Sequence, residues 1–542
     1  MAYLPASLAG DPKGHFATLL GLSHLSASLS WVTQASTLIG SQGIRPVATQ
    51  VSSGELLFAW PHLSLLSLSQ SDAWLSTLGW VWALSALLLS ARVAPKLTLG
   101  VSLVCAVSLS QGASPFLPFQ WDILLHEASL IGLLYLPARL GRATTPSNEV
   151  GRWLLRLLLF KLIWDSGLSK VLSADELWRS LKALYLHFWT QPLPHVGATV
   201  ATQLPEFILR MGTYLTIAIE LWVPCLLFLK VKRPALLWAV LISFSVIGAT
   251  LSSAPTLTSM DTLAWLAFAI ALDERLISLW RPHLPWLPLG PRFAPGWGPA
   301  VPIGILMLLI SATGSYGFFQ LLTLSLLTPL FDLGAQGDAS PAPAPISRAT
   351  SWSVAGLWVL VSLALHLPWA PDTLKRTPEA RAVYQATLTH VSPLQLIARY
   401  GLFAQMTRSH DELIIEGSAD GERWDPLPLP YQVNGASAPP PMAGLYMPRV
   451  DWMMWFEALQ PSCHEGWLLD LLEATLEGRA PALSLLTSKA TAPTYLRVKR
   501  VRYRPSAVGF WSARDAGYYC PAMTLQELRH ARAKLRGLPQ LP

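Results

Sequence analysis

Charge is the first thing this sequence lacks. Only 13% of its 542 residues are Asp, Glu, Lys or Arg, against roughly 25% in a soluble domain. The deficit falls mostly before residue 370, and it excludes a soluble globular fold for that part. Cysteine is scarce too, four in all, with no CxxC and no Cys/His metal spacing. Cys105 and Cys225 lie in apolar stretches and read as small buried hydrophobes. The common catalytic motifs are also missing: no GxSxG, Walker loop, HExxH or GxGxxG occurs. Nothing therefore predicts hydrolysis, phosphoryl transfer or metal chemistry, and no cofactor, metal or catalytic residue is assigned.

Long apolar runs are what the sequence has, and its mean hydropathy is +0.40. A bilayer core needs about 20 mostly apolar helical residues. Eleven candidates stand near 16–40, 73–91, 97–110, 120–138, 151–171, 207–229, 234–252, 258–272, 300–313, 316–331 and 352–368. Several are short, so about 9–11 spans are expected. The first is too long for a signal peptide and has no A-x-A site after it; it is expected to remain as an uncleaved span. A Pro/Ala-rich linker at 334–350 has no periodicity. The expected fold is a helical membrane domain, 1–368, followed by an extramembrane α+β domain with a sheet core, 369–542.

The net charge of +7 is read as topology-setting charge and not as a nucleic-acid surface. With the N-terminus inside, the inner loops carry Lys13, Arg92, Lys96, Arg139, Arg142, Arg152, Lys230, Lys232, Arg233, Arg275, Arg281, Arg292 and Arg348. The short outer loops carry Arg45 alone. This alternation obeys the positive-inside rule. The loop at 172–206 is long and mixed in charge, and it falls outside. An odd span count puts the tail outside as well: the periplasm for a bacterial inner membrane, the lumen for the endoplasmic reticulum. In such oxidising compartments Cys463 and Cys520, both in the tail, are expected to be able to pair.

Within the tail, Glu412 to Gly417 reads as a strand, followed by an Asp420-Gly421 turn. Trp424 to Val433 is a Pro-interrupted return at a sheet edge. Tyr495 to Tyr503 alternates apolar and basic residues, with a slip at Lys499-Arg500 that a β-bulge would produce. Asp451 to Leu459 and Trp467 to Leu476 read as helices.

Ionisable residues inside spans are expensive, so each is a candidate for function. The fourth span holds Asp122, His126 and Glu127; the fifth holds Arg156, Lys161, Asp165 and Lys170; the sixth holds Glu220. Asp122 and His126 share a face, and Lys161 and Asp165 are spaced to pair, each four apart. Two readings stand: a polar site that binds or transforms something, or interhelical glue made of neutralised pairs. Asp122, Lys161 and Asp165 are expected to face the bundle interior. The loop at 172–206 carries Trp178, Arg179, His187 and Trp189, then Thr190, Gln191, Pro192, Leu193 and Pro194. Either it is a recognition surface working with the tail, or it plugs the outer end of the bundle.

Several of these segments resemble a known family, the lipase maturation factors. Phe119-Gln120-Trp121-Asp122-Ile123-Leu124-Leu125 with Glu127-Ala128 is similar to its FQWDxLLxEA segment. Asp165 to Lys170 followed by Trp178-Arg179-Ser180-Leu181 resembles GSGxxKL…WRxL, and His187-Phe188 with Thr190 to Pro194 resembles YHxETQPLP. Gly314 to Gln320 resembles GNYGFFN. In the tail, Arg399-Tyr400-Gly401-Leu402-Phe403 resembles NRYGLF, Glu416 to Gly421 with Trp424 resembles EGSxDGxxW, and Arg449 to Phe456 resembles PRLDWQMWF. Trp189 replaces the family's usual Glu, Asp165 its Gly, and Ser315 and Gln320 its Asn. The resemblance implies a membrane-embedded factor that brings secreted lipases to their folded, assembled state, with membrane lipid and a lipase-like client as partners. A distant likeness of the family to vitamin K-dependent carboxylase-type proteins implies the alternative, a membrane enzyme using Asp122, His126, Lys161 and Glu220.

Overall fold

The computed structural model describes residues 11–52, 64–138, 149–228, 297–332, 345–369, 376–437, 439–463, 466–487, 491–506 and 510–536. The expected spans at 234–252 and 258–272 lie outside these residues, as does most of the 334–350 linker. The last linker residues are described, and they are helical: they open the final long helix.

The first part is a helical bundle. Its elements are α1 (Pro12–Val32), α2 (Asp72–Ser90), α3 (Pro95–Gly112), α4 (Gln120–Tyr135) and α5 (Glu149–Leu172). Three short helices cross the 172–206 loop: α6 (Glu176–Arg179), α7 (Ala183–Thr190) and α8 (Val196–Thr202). Then come α9 (Glu206–Trp222), α10 (Trp297–Thr313), α11 (Phe319–Leu327) and α12 (Pro345–His366). Asp11 caps α1 by accepting from Gly14 N at 2.9 Å, with Pro12 in the first turn. The 16–40 candidate is thus divided, because α1 ends at Val32 and a five-residue helix, Ala35–Ile39, follows. At 21 residues, α1 is about 31 Å long, close to the roughly 30 Å hydrocarbon core.

Among the described residues three helices are both long and apolar enough to cross a membrane: Asp72–Ser90, Glu206–Leu227 and Ala349–Trp369. Trp80, Leu84 and Leu87 of α2, Leu308 and Leu309 of α10, and Leu357, Leu360 and Leu363 of α12 are exposed. Such runs of bare apolar side chains on long helices belong against lipid. Glycine permits a close approach between α1 and α2: a Cβ on Gly21 of α1 would lie 2.4 Å from Ser90 N at the end of α2. His24 ties three helices together, bonding Trp82 Nε1 at 3.0 Å and Ser129 Oγ at 2.7 Å.

The two ends of the bundle differ. At one, Arg92 pairs with Asp11, Tyr135 OH donates to Asp332 Oδ2 at 3.0 Å, and Arg152 donates to Asp332 O at 2.8 Å. The other end meets the tail. Gln34 accepts from Arg449 N at 2.8 Å, and Ser30 Oγ from Met447 N at 3.1 Å. From Tyr316, at the tail end, the chain returns to Asp332 through the nine-residue α11 and a 3-10 turn, Thr328–Phe331.

The tail holds α13 (Pro378–His390), β1 (His410–Ser418), β2 (Asp425–Leu427), α14 (Arg449–Ala458), α15 (Gly466–Leu476), α16 (Ala480–Leu486), β3 (Tyr495–Pro505), β4 (Trp511–Met523) and α17 (Leu525–Arg536). The strands form one antiparallel sheet in the order β2-β1-β3-β4. The return strand expected over 424–433 is only three residues long, because Pro426, Pro428 and Pro430 deny it ladder donors. The ladder between β3 and β4 is irregular around Lys499, with register shifts between Val498 and Lys499 and between Lys499 and Val501. Two basic residues of β3 are neutralised by acids of β1: Arg502 grips Asp411 at 2.7 and 2.8 Å, and Arg497 meets Glu416 at 2.6 Å, each directly across the ladder. Cys463 and Cys520 form a disulfide, Cα–Cα 5.4 Å, that joins the segment after α14 to β4.

Asp451, in the first turn of α14, is buried and accepts from Tyr431 N at 2.7 Å. Burial pushes its carboxyl up to about 7, and Glu412 nearby adds to the rise. A group whose folded pKa lies above its unfolded value of about 3.9 favours folding below that value and loses the benefit as pH climbs through the folded pKa. The unfolding midpoint of the tail is therefore expected to fall between pH 6 and pH 8. Asp451→Asn keeps the acceptor for Tyr431 N, so it should flatten that slope and raise the pH 8 value. The whole window is worth about 4 kcal/mol at most. Parallel melts of the two proteins at pH 6, 7 and 8 decide it, and an unchanged slope in the variant would count against Asp451.

Candidate functional site: a polar socket at the bundle–tail junction

Irregular backbone that enters a helical bundle needs partners for its N–H and C=O groups. Residues 395–406 are such a segment, running between α13 and β1 without regular structure. They form a strap laid into the tail end of the bundle, and the intramembrane polar residues receive it. His126 Nδ1 bonds Gln395 O at 2.9 Å. Asp165 accepts from Tyr400 N at 3.2 Å, and Gln120 accepts from Gly401 N at 3.3 Å. Lys170 donates to Leu402 O and Trp178 Nε1 to Phe403 O, both at 3.1 Å. Asp175 accepts from Met406 N at 2.6 Å.

The side chains of the socket are matched in charge as well. Glu127, fully buried, takes three donors: Lys161 Nζ and Trp358 Nε1 (2.7 Å) on one oxygen, and Tyr400 OH on the other. Lys161 also lies over the Trp358 ring, 4.8 Å from its centre. Asp165 meets His366 Nε2 at 2.8 Å, and Lys170 meets Glu220 at 2.8 Å. Asp122 is held by Arg449 through two bonds of 2.6 and 2.8 Å, with Arg449 over the Phe119 ring. The same carboxylate caps α4 by accepting from Phe119 N at 2.7 Å.

These contacts correct the sequence reading in two places. Lys161 and Asp165 do not pair along their helix; each turns to a partner on another element, Glu127 and His366. The cluster is also not a single site, because Glu220 pairs with Lys170 and stands apart from Asp122 and His126. Asp122, Lys161 and Asp165 are all buried. Sequence reasoning missed the partners Trp358, His366, Tyr400 and Arg449. Two of them stood in quoted motifs, Arg399 to Phe403 and Arg449 to Phe456, and these are the tail segments that enter the bundle.

The 172–206 loop is likewise more inside than out. Trp178, Thr190, Gln191, Pro192 and Pro194 are buried, and His187 and Trp189 are half-buried. Trp178 packs with Leu181, Tyr214 and Ile217 while it holds the strap. Gln191 donates to Thr313 O at 2.7 Å and accepts from Tyr316 OH at 2.7 Å, which pins the ends of α7, α10 and α11 together. Gly197 permits the closest packing there: a Cβ on it would lie 1.9 Å from Ala312 O. Trp189 rests with Val433, Tyr503 and Trp511 of the tail. Arg179 and Tyr185 remain exposed.

Comparison with known proteins places both halves of this arrangement in one family. The lipase maturation factor transmembrane domain matches residues 12–279, and the lipase maturation factor C-terminal domain matches 396–518. The chain belongs to the lipase maturation factor family. It is 29% identical to lipase maturation factor 2 of Mus musculus, over 95% of this chain and 83% of that one. It is 28% identical to lipase maturation factor 2 of Homo sapiens, over 93% and 81%. With lipase maturation factor 1 of Bos taurus the identity is 26%, over 92% and 86%. No solved structure matches. The C-terminal match begins at residue 396, so it takes in nearly the whole strap together with the sheet.

Proposed function

We propose that this chain is a membrane-embedded factor for the maturation of exported lipases, and that its tail and the exposed edge of the 172–206 loop face the client. The likeness to lipase maturation factors along nearly the whole chain supports the class of function. The socket argues against the enzyme alternative. Asp122, His126, Glu127, Lys161, Asp165 and Glu220 are each engaged by a structural partner, and the strap itself occupies His126, Glu127 and Asp165. We also propose the division near residue 368 into a membrane domain and an outer-face tail. In support, the tail docks at the bundle end away from Arg92 and Arg152, as the positive-inside rule asks.

Two experiments test this reading. Co-expression with an exported lipase should raise the activity per mole of secreted lipase. An unchanged specific activity would sink the maturation role. A phosphatase fused after residue 542 should be active outside the inner compartment, and an inactive phosphatase alongside a fluorescent cytoplasmic fusion would reverse the orientation.

A further inference from the structure

A cleft of about 480 Å³ opens beside the strap, lined by Gln120, Ser169, Ser173, Trp369, Arg399 and Gln405 among others. Arg399 is the unusual member. Its guanidinium lies over the Trp369 ring, 4.5 Å from the centre, and its Nη1 is buried with no hydrogen-bond partner. Among the described residues no carboxylate pairs with it. Its neighbours in the junction contrast with it: Lys161, Lys170 and Arg449 each hold an acid. Arg399 is half-buried, so a guanidinium with one nitrogen buried and unbonded at the wall of a cleft is poised to take an anion that enters it.

The height of the cleft narrows the choice. Trp369 ends the long apolar helix Ala349–Trp369, and Leu172, exposed at the end of α5, also lines the cleft. Ends of spans marked by a tryptophan lie at the level of lipid headgroups. A guanidinium fork matches phosphate oxygens, and the side-chain amides of Gln120 and Gln405 carry further donors at the cleft. We propose that this cleft binds a phosphate oxyanion carried on the headgroup of an anionic membrane lipid.

The test uses the full chain in a neutral, phosphate-free detergent, titrated calorimetrically with short-chain phosphatidylglycerol, inorganic phosphate or a soluble acidic peptide. The expected result is saturable binding of one phosphatidylglycerol, at least tenfold weaker in Arg399→Gln and partly restored in Arg399→Lys. Because Arg399 has no acceptor of its own, Arg399→Gln should melt no lower than the parent without lipid. A large drop would make the residue structural and overturn the proposal. Arg399-dependent binding of inorganic phosphate as tight as that of the lipid would overturn the lipid source and leave a soluble phosphate in the cleft. Arg399-dependent binding of the peptide alone, or lipid binding that is equal in Arg399→Gln, would overturn the proposal altogether.

Discussion

Replacing Arg449 with methionine is expected to cost the chain about 3–5 kcal/mol, the usual penalty for breaking a buried ion pair from one side. Both side chains are nearly inaccessible, 4% and 5% exposed, so the surviving Asp122 carboxylate would have no water to turn to. The loss should be larger than that of any exposed pair in the tail, which is worth about 0–1 kcal/mol. Asp122→Asn alone should also destabilise. It keeps an oxygen for Phe119 N, so the α4 cap survives while the guanidinium is stranded. The double variant, Asp122→Asn with Arg449→Met, should recover much of the loss, because neither charge is then left without its partner. The pair joins α4 of the bundle to α14 of the tail, and the failure should be visible as separation of the two. Limited proteolysis should release the tail from either single variant sooner than from the double. Strictly additive losses in thermal melts would show that the two residues do not act as a pair.

The sequence made the class of fold legible because two signals in it are local. Apolar runs of span length and the alternation of loop charge need no knowledge of tertiary contacts. β1 was visible as Leu413-Ile414-Ile415 flanked by charge, and the bulge in β3 as a slip of phase at Lys499. β4 was not visible. Most of its residues are exposed, with no apolar alternation, and Asp515 and Gly517 look like a turn. Its place in the sheet comes from pairing with β3 and from the disulfide at Cys520, both non-local.

The socket was half legible for the same reason. The cost of a charge in lipid marks Asp122, Glu127, Lys161, Asp165 and Glu220 as inward-facing, and that inference uses one residue at a time. The identity of each partner does not follow from spacing. Helical arithmetic offered Lys161 with Asp165, while the acceptor for Lys161 lies 34 residues away and the donor to Asp122 lies 327 away. The same limit left the two readings of the Trp178 loop open. An aromatic in a long outer loop looks like a surface anchor until the strap that covers it is known.

Glu127 should be the least replaceable residue of the socket. Three donors, from Lys161, Trp358 and Tyr400, converge on its two oxygens, and a carboxylate is the side chain that only accepts. Glu127→Gln turns one of those oxygens into a donor facing donors and strands the Lys161 cation in a site only 7% exposed. The expected cost is again about 3–5 kcal/mol, and it should fall on the strap, since Tyr400 is the residue that carries the strap to this depth. Protease cleavage near Arg399 should accelerate in Glu127→Gln. Adding Lys161→Met removes the stranded charge and should restore a large part of the melting temperature. The result also separates the two classes of function. If Glu127 is a structural acceptor, lipase maturation and stability should fall together and recover together in the double variant. A Glu127→Gln protein that melts like the parent yet no longer matures its client would instead give this carboxylate a chemical role, and the socket account would fail.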